Sequence, residues 1–395
     1  MKNSSHDNDN LLFLIIVLFW FAQFIYMPFF SPYLTNIGIS ASLVGVIAGS
    51  YGFSQMVLRI PLSIGGSMKG NHKAIMGWGL AAVILSCAIP LMSSSWIIFL
   101  LTRTFAGLAS STWVSYSAYL LEGAGASANQ QMGKLLAANT GGVFLAQLTG
   151  TILYDHVGIK ALFIIAVCAA ASGLLLLLRF PAVRNYRDGG VRPVFTKQSF
   201  FAVLQNKTLW ICSILMSLGQ YAAFSSNLTF TGVYAQNALG ANALHLGLIS
   251  LVYQAASAST SMAFSKIGKK RLPERAIVFA AFTGFALCCG LTTICSLTGL
   301  ISLQFVAGSF MSMIGVILFA RAGSDLADDQ QLLSMGIFQS IYSIGMTVGP
   351  PVSGFLFEKS GEAYSMVFIS IAAITLAGAV LALAGLSKKP AGHSD

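Results

Sequence analysis

Stretches of about 20 apolar residues recur from one end of this chain to the other, and that recurrence leaves few folds open. Twelve can be delimited, at 11–33, 41–62, 74–93, 95–121, 132–154, 159–180, 209–235, 246–265, 276–296, 298–320, 333–356 and 363–386. A hydrocarbon core about 30 Å thick is crossed by roughly 20 residues of α-helix, and a helix satisfies its own backbone where no water can. The chain is 56% hydrophobic and 9% charged, whereas soluble domains are about one-quarter charged. The expectation is an all-α membrane protein with twelve transmembrane helices.

The leader MKNSSHDNDN carries one lysine against two aspartates, and the apolar run after it is too long for a signal core. That run is therefore expected to remain as the first helix. The six cysteines all fall inside apolar stretches, without a CxxC or a nearby histidine. They read as small packing residues, and no metal site or cofactor is expected.

The net charge of +10 is distributed by side. With the N-terminus inside, 19 of the 22 Lys and Arg lie on that side, only Lys160 and Lys359 lie opposite, and Arg103 is left within a span. This is the positive-inside pattern of a multi-pass protein in a cytoplasmic (inner) membrane, with both termini cytoplasmic. It accounts for the basic balance without a nucleic-acid partner.

The longest polar stretch, 179–207, carries six Lys or Arg. It divides the chain into an N-terminal six-helix bundle (1–180), a cytoplasmic linker (181–208) and a C-terminal six-helix bundle (209–395). Within the linker, 196–204 mixes Phe200, Phe201, Val203 and Leu204 with Lys197, a pattern suited to a short interfacial helix. The halves resemble one another. GVFLAQLTGTILYDHVG (142–158) aligns without gaps on GMTVGPPVSGFLFEKSG (345–361), and RTFAG (103–107) aligns on QFVAG (304–308). Two matches at nearly one offset indicate a tandem repeat, the arrangement in which a cavity lies at midplane between two rocking bundles.

With these segments in view, the chain resembles the major facilitator superfamily over essentially its whole length. RTFAGLASS, with Arg103 and Gly107, is similar to the family's helix-four signature. RIPLSIGGSMKGNHK (59–73) stands where the family's loop between helices two and three belongs, with Arg59, Pro61, Gly70 and Lys73 in matching places. The usual aspartate is replaced by Ser67 and the following arginine by Met68, so the interdomain charge clamp that the resemblance implies is weakened or absent. The Gly-Pro pair typical of helix five in drug/proton antiporters is Ala146-Gln147 here. It appears in the second repeat as Gly349-Pro350, beside Gly345, where a gate hinge and a tight packing contact both fit.

Ionisable groups inside a membrane mark ion or substrate pathways by default, because insertion costs on the order of 3 kcal/mol. All twelve carboxylates map to termini, loops or helix ends, and the five histidines lie outside the spans. Asp155 and Glu358, at corresponding helix ends, are the nearest acids available for proton coupling. Arg103 stands as the embedded charge. Three roles fit it, in this order: organising a hydrogen-bond network between helices, taking part in proton movement as the resemblance implies, or meeting an anionic group of the substrate.

The other candidates are mid-span amides and aromatics: Gln23, Tyr26, Tyr51, Gln55, Asn139, Gln147, Gln220, Tyr221, Asn227, Tyr253, Gln254, Gln304, Gln339 and Tyr342. Each alone is more often an interhelix hydrogen bond than a ligand contact. Together they recur in both halves, and a lining without fixed negative charge suits a neutral amphipathic or anionic solute.

The chain has no phosphate-binding Gly-rich loop followed by Lys-Ser/Thr, which argues against an ATP-driven pump. It has no embedded His, Asp or Glu for a membrane-embedded enzyme. The expected function is secondary active transport of small amphipathic molecules or metabolites, in the direction of efflux, by rocking-bundle alternating access, in a monomer within the lipid bilayer. The alternatives are an importer or facilitator of an organic anion and a transporter-like sensor without flux.

Overall fold

The computed structural model describes residues 2–69, 71–121, 128–180, 197–267, 273–324, 326 and 328–386. No β-strand occurs among them, and every one of the twelve apolar stretches is helical over most of its length. The elements are α1 (Lys2–Phe24), α2 (Met27–Asn36), α3 (Ala41–Lys69), α4 (His72–Ala88), α5 (Trp96–Ser111), α6 (Trp113–Leu121), α7 (Ala128–Arg179) and α8 (Lys197–Leu204). The second half adds α9 (Lys207–Ser225), α10 (Thr231–Leu239), α11 (Ala243–Ile267), α12 (Glu274–Leu291), α13 (Leu297–Ala322), α14 (Asp328–Lys359) and α15 (Tyr364–Gly385).

Among the described residues nine helical spans are long and apolar enough to cross a membrane. One of them, Gln131–Arg179, runs to 49 residues and holds two of the apolar stretches. The break between those two is Gly158, whose φ of 71° and ψ of 174° are non-helical. The short helix expected in the linker is present as α8, while 181–196 and Gly70 lie outside the described residues.

The chain forms two compact units. One comprises Met1–Met27, Ser54–Leu204 and Leu326–Ser340; the other comprises Pro28–Phe53, Gln205–Asp325 and Ile341–Asp395. In the first, α1 packs on α7, and α4 lies against α5 and α7. Its aromatic core joins Phe19, Trp20, Trp113 and Tyr116, with Phe19 and Trp20 edge to face at 5.4 Å. In the second, α11 packs on α13, α12 on α13 and α15, and α9 on α13 and α15. There Arg321, in the last turn of α13, pairs with Glu274, in the first turn of α12. Each charge sits at the helix end whose dipole favours it.

The repeat is legible in the backbone. Among the described residues four glycines take positive φ: Gly38, Gly158, Gly240 and Gly361. They form two pairs, Gly38 with Gly240 at an offset of 202 and Gly158 with Gly361 at an offset of 203. Each pair ends a helix at the same point of the repeat, in a conformation that side chains with a Cβ adopt at a cost. The close approaches repeat as well. Within the first unit Gly142 meets the Val17 backbone, and within the second Gly345 meets the Ser217 backbone.

Candidate transport site

The first apolar span is interrupted in its middle. α1 stops at Phe24 and α2 starts at Met27, immediately before Pro28, which has no N–H to continue the ladder. The seventh span is interrupted at the same point of the repeat: α9 stops at Ser225, a π-helical segment covers Ser226–Phe230, and α10 follows. Phe24 and Ser225 stand 201 positions apart. In the second half hydroxyls reach carbonyls at the break, Ser226 Oγ donating to Ala222 O at 2.6 Å and Thr229 Oγ1 to Phe224 O at 2.7 Å. Such irregular turns inside membrane helices recur at functional sites, where they free backbone groups and re-aim side chains.

Arg103 lies against the first interruption. It is 5% exposed, and its Nη1 points at Met27 Sδ, 3.2 Å away. It acts electrostatically on the Tyr26 hydroxyl and the Cys87 thiol, both within the buried core. Around it, Ser86 Oγ donates to Thr102 O at 2.9 Å, and Ser110 Oγ donates to Gln23 Oε1 at 2.9 Å. A polar belt thus joins α1, α4 and α5.

Gln304 lies against the second interruption, 201 positions after Arg103. It is 4% exposed, and its Oε1 accepts from Asn227 Nδ2 at 2.9 Å. Asn227 is itself 201 positions after Tyr26. Next to the pair is a cavity of about 10 Å³, lined by Ser226, Thr231, Tyr253, Cys289, Thr292 and Gln304 among others, which is room for one water. Cys289 corresponds to Cys87 at an offset of 202. The two clusters share one skeleton; the first carries a cation and the second a neutral amide.

Several of the remaining predicted residues are buried. Gln147 is 4% exposed, and its side-chain oxygen has no hydrogen-bond partner among the described residues. Tyr51 is buried with its ring stacked on Phe224 at 5.8 Å, Tyr342 is buried 5.9 Å from the Phe319 ring, and Tyr221 is buried beside Ser353. Asn139, Gln220, Gln254 and Gln339 are half-buried, and Gly107 is buried. At the motif positions, Lys73 Nζ donates to Phe180 O at 2.6 Å and Leu178 O at 3.2 Å, capping the end of α7, while Pro61 is exposed. Gly349 and Pro350 lie in close contacts, Gly349 on Tyr221 and Pro350 on Gly45.

One expectation is corrected. Arg103 is not the sole embedded charge: Arg59 is also 5% exposed and donates from Nη2 to Gln55 Oε1, one helical turn earlier on α3. The spacing of four that put Tyr51, Gln55 and Arg59 on one face contains the reason, since i and i+4 side chains meet. The partners Met27, Ser86 and Cys87 around Arg103, and Ser226, Thr231 and Cys289 beside Gln304, were not singled out in the sequence. Carrying the repeat offset from Cys87 to Cys289 would have drawn attention to them.

The comparisons with known proteins fit this architecture. The sequence matches the profile of the Major Facilitator Superfamily over residues 12–330 and 209–395. The chain belongs to the major facilitator superfamily. It is 25% identical over 361 residues to an uncharacterised MFS-type transporter of Methanocaldococcus jannaschii, covering 88% of this chain and 91% of that one. Solved structures of the same fold include the nucleoside transporter NupG, with a TM-score of 0.73 at 14% identity over 95% of this chain and 98% of NupG. Another is a bacterial homologue of the human lysosomal transporter Spinster in an inward-facing, unoccupied conformation, with a TM-score of 0.71 at 14% identity over 98% and 96%. As a superfamily member the chain is a multi-pass membrane transporter and not an enzyme.

Proposed function

We propose that this transporter is a secondary active carrier that moves small amphipathic molecules or metabolites outward across a cytoplasmic membrane, as a monomer with both termini cytoplasmic. Two six-helix bundles, 1–180 and 209–395, joined by the linker 181–208, would rock about the central cavity. The observation that carries the reading is the matched interruption of the first and seventh spans beside Arg103 and Gln304. Midplane binding by discontinuous helices in repeat register is how carriers built from two bundles expose one site to two sides. The charge asymmetry of 19 against 2 supports the orientation.

An organic anion imported or passed down its gradient is the second reading, and Arg103 favours it. Its guanidinium is buried beside Met27 and Tyr26, and its planar fork suits a carboxylate or phosphate of the solute. Asp155 and Glu358 remain the acids nearest to hand for proton coupling. The test is a thermal-shift screen of the purified protein against amphipathic drugs, organic acids, nucleosides and sugars, because a ligand of the folded state raises its melting temperature. Hits then go into counterflow in proteoliposomes with and without a pH gradient. Binding without counterflow would sink the transport reading, and counterflow of anions alone would select the second.

A further inference from the structure

Where the first half of α3 meets α14 closely, the contact is built of small residues, and its geometry at one end does more than pack. Ala41, Gly45, Gly49 and Gly52 recur at helical spacing on α3. In the second unit a Cβ added at Gly45 would meet the Pro350 carbonyl, one at Gly49 the Thr347 carbonyl, and one at Gly52 would stand 2.6 Å from Met346 Cβ. From the other helix, Gly354 meets the Ala41 carbonyl. Two backbones approach closely over three turns, and farther along the same helices Ser340 Oγ donates to Met56 O. Such a seam is held by packing and by whatever polar contacts close it.

It is closed at its end by Glu358. This carboxylate, two residues beyond the apolar stretch 333–356, accepts from Ser42 N at 2.9 Å through Oε1 and from Ser42 Oγ at 2.6 Å through Oε2. Ser42 stands in the first turn of α3, where backbone N–H groups lack intrahelical partners and the dipole favours an anion. The corresponding helix of the second half, α11, needs no such help. Its start is closed locally, Asn242 Oδ1 accepting from His245 N at 3.1 Å and Asn242 N donating to His245 Nδ1 at 3.4 Å. The fold can therefore cap this helix start from within, and at α3 it uses a residue more than 300 positions away instead.

We infer that Glu358 is a gating residue: its seat on the first turn of α3 is a latch that holds α14 against α3 at one end of the transport path. The inference rests on the alternating-access reading, and the charge distribution places this end outside. Release of the latch frees the glycine seam to part, because the seam has no other interlocking polar contact at that end among the described residues.

The surroundings make the latch a fixed anion. Ser42 and, to a smaller degree, Ser40 hold the Glu358 carboxyl below the usual glutamate range by hydrogen bonding. Charged neighbours are turned elsewhere: Lys359 Nζ lies 5.6 Å from the Phe355 ring centre, and Glu362 acts on Tyr364 at the start of α15. At the start of α3 the groups facing Glu358 are Ser42 in its first turn and Ser40 just before it, both neutral. Glu358 is thus held as an anion, the form that the latch requires.

Hydrogen exchange of the purified protein in nanodiscs, read by mass spectrometry without any ligand, tests this. Glu358→Ala is expected to lose exchange protection in both 41–52 and 345–354 together, since the seam opens as a unit. Glu358→Gln, which keeps an acceptor without the charge, is expected to lose less, and Ser42→Ala less again, because one of the two bonds survives. The first turns of α11 serve as the unaffected control, and Asp155→Asn as the matched variant at the repeat-related position. Loss confined to 41–44 would reduce Glu358 to a local cap and overturn the latch, as would wild-type protection in Glu358→Ala. Neither outcome depends on which solute is carried, so failure of the latch and failure of the transport reading are separable.

Discussion

Arg103 and Gln304 occupy the same register of the repeat, each beside an interrupted helix, and they differ in charge and in partners. What the two clusters have in common is structural: a helix break at Phe24 or Ser225, a buried polar side chain from α5 or α13, and a thiol at Cys87 or Cys289. What they do not share is the charge. Gln304 completes its site with Asn227 and leaves room for one water, which shows that a neutral amide is enough to hold two helices together here. The cation in the first half, held by Met27 and Tyr26, is the feature that the neutral cluster of the second half lacks.

The largest expected effect follows from that difference. A charged hydrogen bond is worth about 1.5–3 kcal/mol, and each 1.4 kcal/mol or so is about tenfold in rate. Arg103→Gln, which copies the second half, should fold and yet lower counterflow of any identified solute by roughly ten- to a hundredfold. If purified Arg103→Gln transports at the wild-type rate, the cation belongs to the scaffold and the comparison collapses. Arg103→Ala should lose transport and in addition melt earlier, because it strands Tyr26 and its neighbours.

The two close approaches of the repeat offer a second comparison, measured in stability. A Cβ at Gly142 would stand 2.7 Å from the Val17 carbonyl oxygen, and one at Gly345 would be closer still to that of Ser217. Overpacking costs about 1–3 kcal/mol, so Gly345→Ala should lower the melting temperature more than Gly142→Ala. Gly133→Ala and Gly141→Ala, where nothing lies within 4 Å, should leave it unchanged or raise it slightly. Equal losses at Gly142 and Gly345 would mean that the helices shift to relieve the contact and that the tighter seam carries no special constraint.

These contrasts also mark how far the sequence could be read. The helices were legible because lipid demands length and apolarity, and 20-residue runs stand out against any other pattern. The repeat was legible where glycines must recur, as at Gly158 and Gly361, since positive φ restricts the residue whatever surrounds it. The interruption at Ser226–Phe230 was not legible, because no proline marks it and a π-turn depends on hydroxyls finding carbonyls in three dimensions. Arg59 was assigned by topology to the watery side, yet it is buried and donates to Gln55, a placement set by packing in three dimensions. The partner of Glu358 lay beyond reach for another reason: a contact spanning more than 300 residues leaves no local period.

A smaller effect is expected at the neutral pair. Interhelical hydrogen bonds in membrane proteins average about 0.6 kcal/mol and reach about 1.7, so Asn227→Ala should lower the melting temperature modestly. A double-mutant cycle with Gln304→Ala should isolate a coupling in that range. A coupling near zero would place the strength of the second cluster in the cavity and its lining rather than in the amide pair.

The smallest effect sets the start of α3 against the start of α11. Because Ser42 lowers the Glu358 pKa in the folded protein, the carboxylate contributes stability that is fully present above its unfolded value, about 4.3, and lost as pH falls through the folded value. Neutral and mildly acidic solutions should therefore leave the wild type and Glu358→Gln with parallel melting curves, offset by a small constant. Below about pH 4.3 the two should converge, as protonation does to the wild type what the substitution has already done. The start of α11 is closed by Asn242 and His245 rather than by a carboxylate, so His245→Gln should leave this acid limb unchanged. Convergence of Glu358→Gln with the wild type at neutral pH instead would show that the charge adds nothing to the contact with Ser42, and that the hydrogen bonds alone close the start of α3.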